Sequence, residues 1–200
     1  MKELVLATNN QHKVREIIDI LGKLPITVKS LADFKKMPEV VEDGETLAQN
    51  AVKKASTVAM RLNTWAMADD TGLEVDYLAK APGVYSARFA GINCTYEDNN
   101  KKLLKLLKGV PKKDRTARFR CVIAVAGPEG SIELAQGCIE GVIAQKAAGD
   151  KGFGYDPIFV VAKYKKSFAQ LDSRIKNVIS HRGQAVRNAK KIIERICRSS

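Results

Sequence analysis

The hydrophobic period changes several times along the chain. Leu4 to Ala7 form a short apolar run, the pattern of a buried strand. Val14, Ile17, Ile18 and Leu21 then recur at i, i+3, i+4 and i+7, the period of an amphipathic helix, until Gly22 stops it. Ile26 to Val28, after Pro25, reads as a second strand, so the chain opens as β-α-β and predicts an α/β sheet. A polar acidic loop, PEVVEDGE, leads into a helix over about Thr46 to Arg61 that buries Leu47, Ala51, Ala55, Val58 and Leu62. Trp65 to Ala68 predicts the next strand, ending at Asp69, Asp70, Thr71 and Gly72, where a sheet's geometry exposes acidic residues.

Leu73 to Asn93 is loop-like, with Pro82 and several glycines. Thr95-x-x-Asp98 then offers a capping-box start for a helix that ends near Gly109 and Pro111. TARFRCVIAVAGPEGSIELAQG predicts two long strands joined by a Gly-Pro-Glu-Gly turn, hence a hairpin in a mixed sheet. The glycine-rich GDKGFGYDPIF is followed by a short strand and a helical region over roughly Ser173 to Arg198, interrupted at Ser180 to Gly183.

Length and composition narrow the class. With 200 residues, 45% of them hydrophobic, one sizeable core and a single domain are expected. No apolar run approaches the roughly 20 residues that span a bilayer, and the apolar part of MKELVLATNN is short for a signal peptide, so the expectation is a soluble cytoplasmic protein. Cys94, Cys121, Cys138 and Cys197 show neither CxxC spacing nor neighbouring histidines, which argues for reduced thiols rather than a zinc site.

A formal charge of +12 favours an anionic partner. A nucleic-acid binder would gather its cations in a stripe with aromatics between them. Here they are scattered over Lys35 and Lys36, Lys101 to Lys113, Lys163 to Lys166 and Arg187 to Arg198, mostly as solvated faces. Charge alone does not choose a mononucleotide over a polynucleotide.

Four places carry candidate chemistry. At Thr8, Asn9, Asn10, Gln11, His12 and Lys13 a strand turns into a helix whose unpaired N–H groups favour an anion, and a first-turn lysine makes most sense beside one; Asn10 as a plain helix cap is the other reading. Glu42, Asp43 and Glu45 before one helix, with Asp69 and Asp70 after a strand, could hold a hard divalent cation such as Mg²⁺, or could merely compensate a helix dipole and form a turn. GFGYDP lacks the third glycine of a dinucleotide fingerprint and precedes a strand, so it reads as a tight loop that offers Phe153 or Tyr155 to a base, or as an ordinary turn with core aromatics. SHRGQA sets His181 beside Arg182, two donors for base carbonyls or phosphate, although a lone histidine is often structural. Neither a GxSxG nucleophile nor a Walker A loop occurs, which leaves catalysis by metal and bound water as the simplest chemistry.

Taken together and in order, TNNQHK, EDGETLAQNAVKKA, ADDTGLEVDYLAKAPGVYSARFAG, GFGYDPIF and SHRGQA resemble the signature blocks of the inosine/xanthosine triphosphate pyrophosphatase family, the Ham1-like nucleotide hydrolases, from Leu4 to about Arg187. The resemblance implies one domain over residues 1–200, an elongated α/β fold in which a long mixed β-sheet is flanked by helices and two lobes enclose a cleft. It also implies hydrolysis of ITP, dITP and XTP to the monophosphate and pyrophosphate, with Mg²⁺, by a homodimer. Carried over by residue, it implies that Thr8 to Lys13 and Lys54 hold the triphosphate, that Asp70 is proton acceptor and metal ligand, and that Thr71 contacts substrate. The second metal ligand falls in Glu42-Asp43-Gly44, where the family reads Glu-Thr-Gly, with Glu42 favoured over Glu45. Phe153, Gly154, Tyr155, Asp156, Lys176, His181 and Arg182 match the base-recognition positions, and Ser86 and Arg88 lie in the YSAR block. A Maf-like pyrophosphatase acting on other nucleotides, and a basic nucleic-acid-binding protein without catalysis, are the alternatives to be tested.

Overall fold

A computed structural model describes residues 2–34, 37 and 40–198; Lys35, Lys36, Pro38 and Glu39, part of the basic and acidic stretches noted above, lie outside the described residues. The elements run β1 (Glu3–Leu6), α1 (Gln11–Leu21), β2 (Thr27–Ser30), α2 (Leu47–Leu62), β3 (Trp65–Val75), β4 (Pro82–Gly83), α3 (Tyr96–Leu106), β5 (Thr116–Ala126), β6 (Ile132–Ile143), β7 (Phe159–Val161), β8 (Lys166–Ser167), α4 (Ser173–Ile179) and α5 (His181–Arg198). The fold is mixed α/β: β1 pairs in parallel with β2 and β3, whereas β6 with β7 and β7 with β8 are antiparallel.

The chain divides into two compact units. The first holds residues 1–70, 121–137 and 181–200, the second 71–120 and 138–180, so β3, β5 and β6 each give residues to both. In the first unit the strand order is β2-β1-β3-β5-β6, and Leu4, Leu6, Val14, Ile17, Leu21, Met67, Ile123, Val125, Val186 and Ile193 form the core. Of the helical period read at Val14, Ile17, Ile18 and Leu21, three residues form the core face of α1, while Ile18 is exposed beside it. In the second unit Leu73, Val75, Leu103, Leu107 and Ile158 pack with Phe119, Phe159 and Phe168, whose rings lie 4.6 Å (Phe119–Phe159) and 5.2 Å (Phe159–Phe168) apart.

The helix starts follow the sequence closely. Asn10 caps α1 by accepting from the backbone N–H groups of His12 at 3.0 Å and Lys13 at 3.2 Å, a contribution of about 1 kcal/mol. Capping boxes at Thr46/Gln49 and Thr95/Asp98 open α2 and α3.

Two expectations are corrected. The strand that begins at Trp65 does not end at Asp69: β3 continues through Asp69, Asp70, Thr71 and Gly72 to Val75 and claims the first residues of the stretch read as loop. Asp69 and Asp70 are consequently buried, at 1% and 6% exposure, and a strand interior tolerates them because each has cationic partners. The C-terminal helices break only at Ser180, whose extended backbone separates α4 from α5, while Gly183 is carried inside α5.

Candidate active site

The first unit brings together four charged groups from three elements, α1, β3 and α5. Asp69 Oδ2 receives Lys13 Nζ from α1 at 3.1 Å and Arg182 Nε from α5 at 3.4 Å, and Arg182 Nη1 reaches Glu16 Oε2 of α1 at 2.5 Å. Charges therefore alternate along Lys13, Asp69, Arg182 and Glu16. Burial alone would raise the Asp69 pKa, but Lys13, Arg182 and Lys54 outweigh it and hold the carboxyl well below the usual range. The Arg182 guanidinium, equally buried, is held charged by Asp69 and Glu16. His181 opens α5 beside it and is also buried.

Asp70 faces a different set. Lys54 Nζ on α2 donates to Asp70 Oδ1 at 3.0 Å, to Glu42 Oε1 at 2.6 Å and to the backbone carbonyl of Asp69 at 2.8 Å. Burial pushes the Asp70 carboxyl above its ordinary value; Lys54 opposes that rise and the like charge of Glu42 adds to it. For Lys54 itself, desolvation favours loss of the proton, yet Asp70, Asp69 and Glu42 more than compensate and keep the ammonium charged. The acids of the loop before α2 separate by partner: Glu42 meets Lys54, Asp43 meets Lys53 at 2.6 Å on the surface, and Glu45 is exposed.

No cluster of three or more His, Cys, Asp or Glu side chains gathers as a protein-only metal cage among the described residues. Glu42 and Asp70, converging on a single ammonium, instead form a two-carboxylate donor set. Such a set suits Mg²⁺, which is usually bound through one or two carboxylates and completes its shell with water and substrate phosphates. Asn9, Gln11 and His12 are exposed at the start of α1, and Thr8, Asn10 and Lys13 are half-buried there.

The second unit builds a separate cluster around the GFGYDP loop. One Asp156 oxygen, Oδ2, accepts from the Phe153 backbone N–H at 2.9 Å and from Lys176 Nζ at 2.6 Å, both Asp156 and Lys176 being buried. The same ammonium lies 5.1 Å from the Phe153 ring centroid. Gly152 has φ +76° and a Cβ there would collide with the Asp156 carboxylate, so the loop admits only glycine at that point. The Gly154 carbonyl accepts from Asn100 Nδ2 at 3.0 Å, and Tyr96, one turn earlier on α3, sets its ring 5.9 Å from that of Phe153. Tyr155 donates its hydroxyl to the Ser86 carbonyl at 2.9 Å, and Ser86 Oγ accepts from the Leu73 N–H. Burial pushes the Tyr155 phenol up, so it stays a donor. Arg88 lies over the Tyr85 ring at 5.2 Å, and Thr71 is half-buried in β3.

Glu16, Asn50, Tyr96 and Asn100 were not singled out from the sequence. Two of them carried a signal: Glu16 lies three residues after Lys13, and Asn50 four residues before Lys54, so each shares a helix face with a cation already of interest.

A buried carboxylate pushed above its ordinary value, set beside a lysine and a second acid, is an arrangement suited to hydrolytic chemistry on an anionic substrate. The chain belongs to the Ham1 family, whose model matches residues 4–192. It is 54% identical over 194 residues to the dITP/XTP pyrophosphatase of Desulforamulus reducens, covering 97% of this chain and 96% of that one. It is 45% identical, again over 194 residues, to the dITP/XTP pyrophosphatase of Bacillus subtilis, covering 97% and 98%. Among solved structures, a HAM1 protein from Coxiella burnetii is similar with a TM-score of 0.89 at 38% identity, covering 98% of this chain and 100% of that one.

Proposed function

We propose that this protein hydrolyses the non-standard purine nucleoside triphosphates ITP, dITP and XTP to the nucleoside monophosphate and pyrophosphate, and so clears them from the nucleotide pool of the cytoplasm, acting as a homodimer. The observation that carries this reading is the pair Asp70 and Glu42 on one buried lysine, Lys54, in a chain 45% to 54% identical to enzymes named for that activity.

Asp70, its pKa raised by burial, is the group that orients a water against the α-phosphorus and takes its proton as the bond to the bridging oxygen breaks. Lys13 and Lys54 hold the triphosphate and offset the charge that develops on the departing pyrophosphate; Thr8 to Gln11 with His12 provide the helix N-terminus, and Thr71 a hydroxyl contact. Glu42 and Asp70 would hold Mg²⁺, which would supply further neutralisation of the phosphates. The base is read by Phe153, Gly154, Tyr155 and Asp156, together with Ser86 and Arg88. Lys176, His181 and Arg182 supply donors. Hypoxanthine and xanthine carry a 6-oxo acceptor where adenine carries an amino donor, so a pocket of donors accepts the first two and leaves adenine's N–H groups unpaired.

One assay tests the reading: pyrophosphate release from ITP, XTP, dTTP, UTP, ATP and GTP with and without Mg²⁺. Release confined to ITP and XTP is expected. Preference for dTTP or UTP would instead favour a Maf-like activity, and no release from any nucleotide would favour a binding protein.

A further inference from the structure

Asn50 lies on α2 one turn before Lys54 and is wholly buried, with both ends of its amide engaged. Its Oδ1 accepts from the backbone N–H of Gly44 at 2.8 Å, and its Nδ2 donates to Asp70 Oδ2 at 3.4 Å. The other Asp70 oxygen receives Lys54, which also binds Glu42. The loop 42–44 is thus tied to Asp70 twice, through the Lys54 ammonium to the Glu42 side chain and through the Asn50 amide to the backbone two residues further on.

Gly44 records the closeness of this contact. Its φ is not positive, so backbone freedom does not require glycine there; space does, because a Cβ would lie 2.7 Å from Asn50 Oδ1 and 2.9 Å from Gln49 Cβ. We propose that Asn50 is a positioning residue for the reaction: it orients the Asp70 carboxylate and fixes the Glu42 loop against it, so that two carboxylates on separate elements keep one spacing. The inference rests on the reading of Asp70 as proton acceptor and metal ligand. An amide suits the task, since one end must donate to a carboxylate and the other must accept from an N–H. A carboxylate in its place has no donor for Asp70, and an aliphatic side chain satisfies neither group.

The competing view is that Asn50 only caps a loop, in which case its loss lowers stability and leaves chemistry alone. The experiment compares Asn50→Ala and Gly44→Ala with the parent and with Asp70→Asn. It measures kcat and KM for ITP, Mn²⁺ affinity by electron paramagnetic resonance without nucleotide, and the urea midpoint. Outer-shell partners of metal-site carboxylates typically change affinity or activity by about 10- to 100-fold. Asn50→Ala is therefore expected to lower kcat and weaken Mn²⁺ binding by about tenfold or more each, with KM for ITP near the parent value. Gly44→Ala, which presses on the same amide from the loop side, should move both quantities the same way, and it keeps the question open to decision if Asn50→Ala fails to fold. Folded variants whose kcat or Mn²⁺ affinity stays within about twofold of the parent overturn the proposal, whatever their urea midpoints. Turnover by Asp70→Asn would instead overturn the reading of Asp70 beneath it, so the two failures are told apart.

Discussion

Asp69 and Asp70 are neighbours in β3 and both are buried, yet their carboxyls are driven in opposite directions, Asp69 below the ordinary range and Asp70 above it. Alternation along a strand explains the split. Successive side chains leave opposite faces, so Asp69 meets Lys13 of α1 and Arg182 of α5, while Asp70 meets Lys54 and Asn50 of α2. Paired acids pushed apart in this way are suited to different tasks, one as a fixed anion and one as the proton acceptor proposed above.

The first prediction is kinetic. Asp70→Asn keeps the size and one oxygen but removes the charge that a base or metal ligand must supply, so kcat for ITP should fall by at least about 10³-fold with the fold intact. Pyrophosphate release from ITP by the folded variant measures it, and near-parental turnover would falsify the role given to Asp70.

The same two residues predict unequal effects on stability. A carboxyl held low contributes stability that is complete above the unfolded value of about 3.9 and is lost as pH falls through the lower folded value. Asp69→Asn should therefore destabilise at pH 7, by roughly 3 kcal/mol as for other broken buried pairs. For Asp70 the sign reverses: a raised folded pKa means that its stabilising part is present below the unfolded value and lost as pH rises through the folded one. At pH 7 ionisation of Asp70 therefore costs stability, but Asp70→Asn also removes a counter-charge from buried Lys54, so its loss should be smaller than that of Asp69→Asn rather than absent. Urea unfolding of both variants at pH 7 decides the matter; equal losses would show that the two sites are not electrostatically distinct.

Lys13 sits on Asp69 and belongs to the first turn of α1, the end of the helix where the phosphates are proposed to bind. Lys13→Ala should lower kcat/KM for ITP, dITP and XTP by similar factors, about 100-fold, since all three share the triphosphate. A change in their order of preference would reassign Lys13 to the base.

Much of this was legible in the sequence because it is local. Asn10, Thr46 and Thr95 announce helix starts through residues within three positions, and the apolar period of Val14, Ile17 and Leu21 fixes the core face of α1. What stayed hidden depends on groups brought from a distance. Two adjacent aspartates read as a strand's exposed end, because nothing nearby in sequence shows that Lys13 and Arg182, 56 and 113 residues away, neutralise one and Lys54 the other. Gly183 suggested a break in α5 by composition, but the helix continues through it because the break falls at the extended Ser180. Asn50 shares a helix face with Lys54, but what its amide does depends on its two partners, Gly44 and Asp70, which lie on other segments.

The last prediction concerns the base loop. A single oxygen of Asp156 holds both the Phe153 backbone and the Lys176 ammonium, and Lys176 in turn lies over the Phe153 ring. Asp156→Asn preserves the shape and can still accept one hydrogen bond, but it leaves a buried ammonium without its counter-charge, which costs more than the loss of a neutral contact. Lys176 should then turn away from the loop, and a donor proposed to read the 6-oxo group is weakened while Lys13, Lys54 and Asp70 are untouched. The expected result is a KM for ITP raised about tenfold or more, a smaller change in kcat, and an ITP preference over ATP that narrows. Steady-state kinetics with ITP, ATP and inorganic tripolyphosphate check it: the tripolyphosphate has no base, so its inhibition constant should stay at the parental value. If Asp156→Asn weakened tripolyphosphate as much as ITP, the Asp156–Lys176 pair would belong to the phosphate end of the substrate rather than to the base.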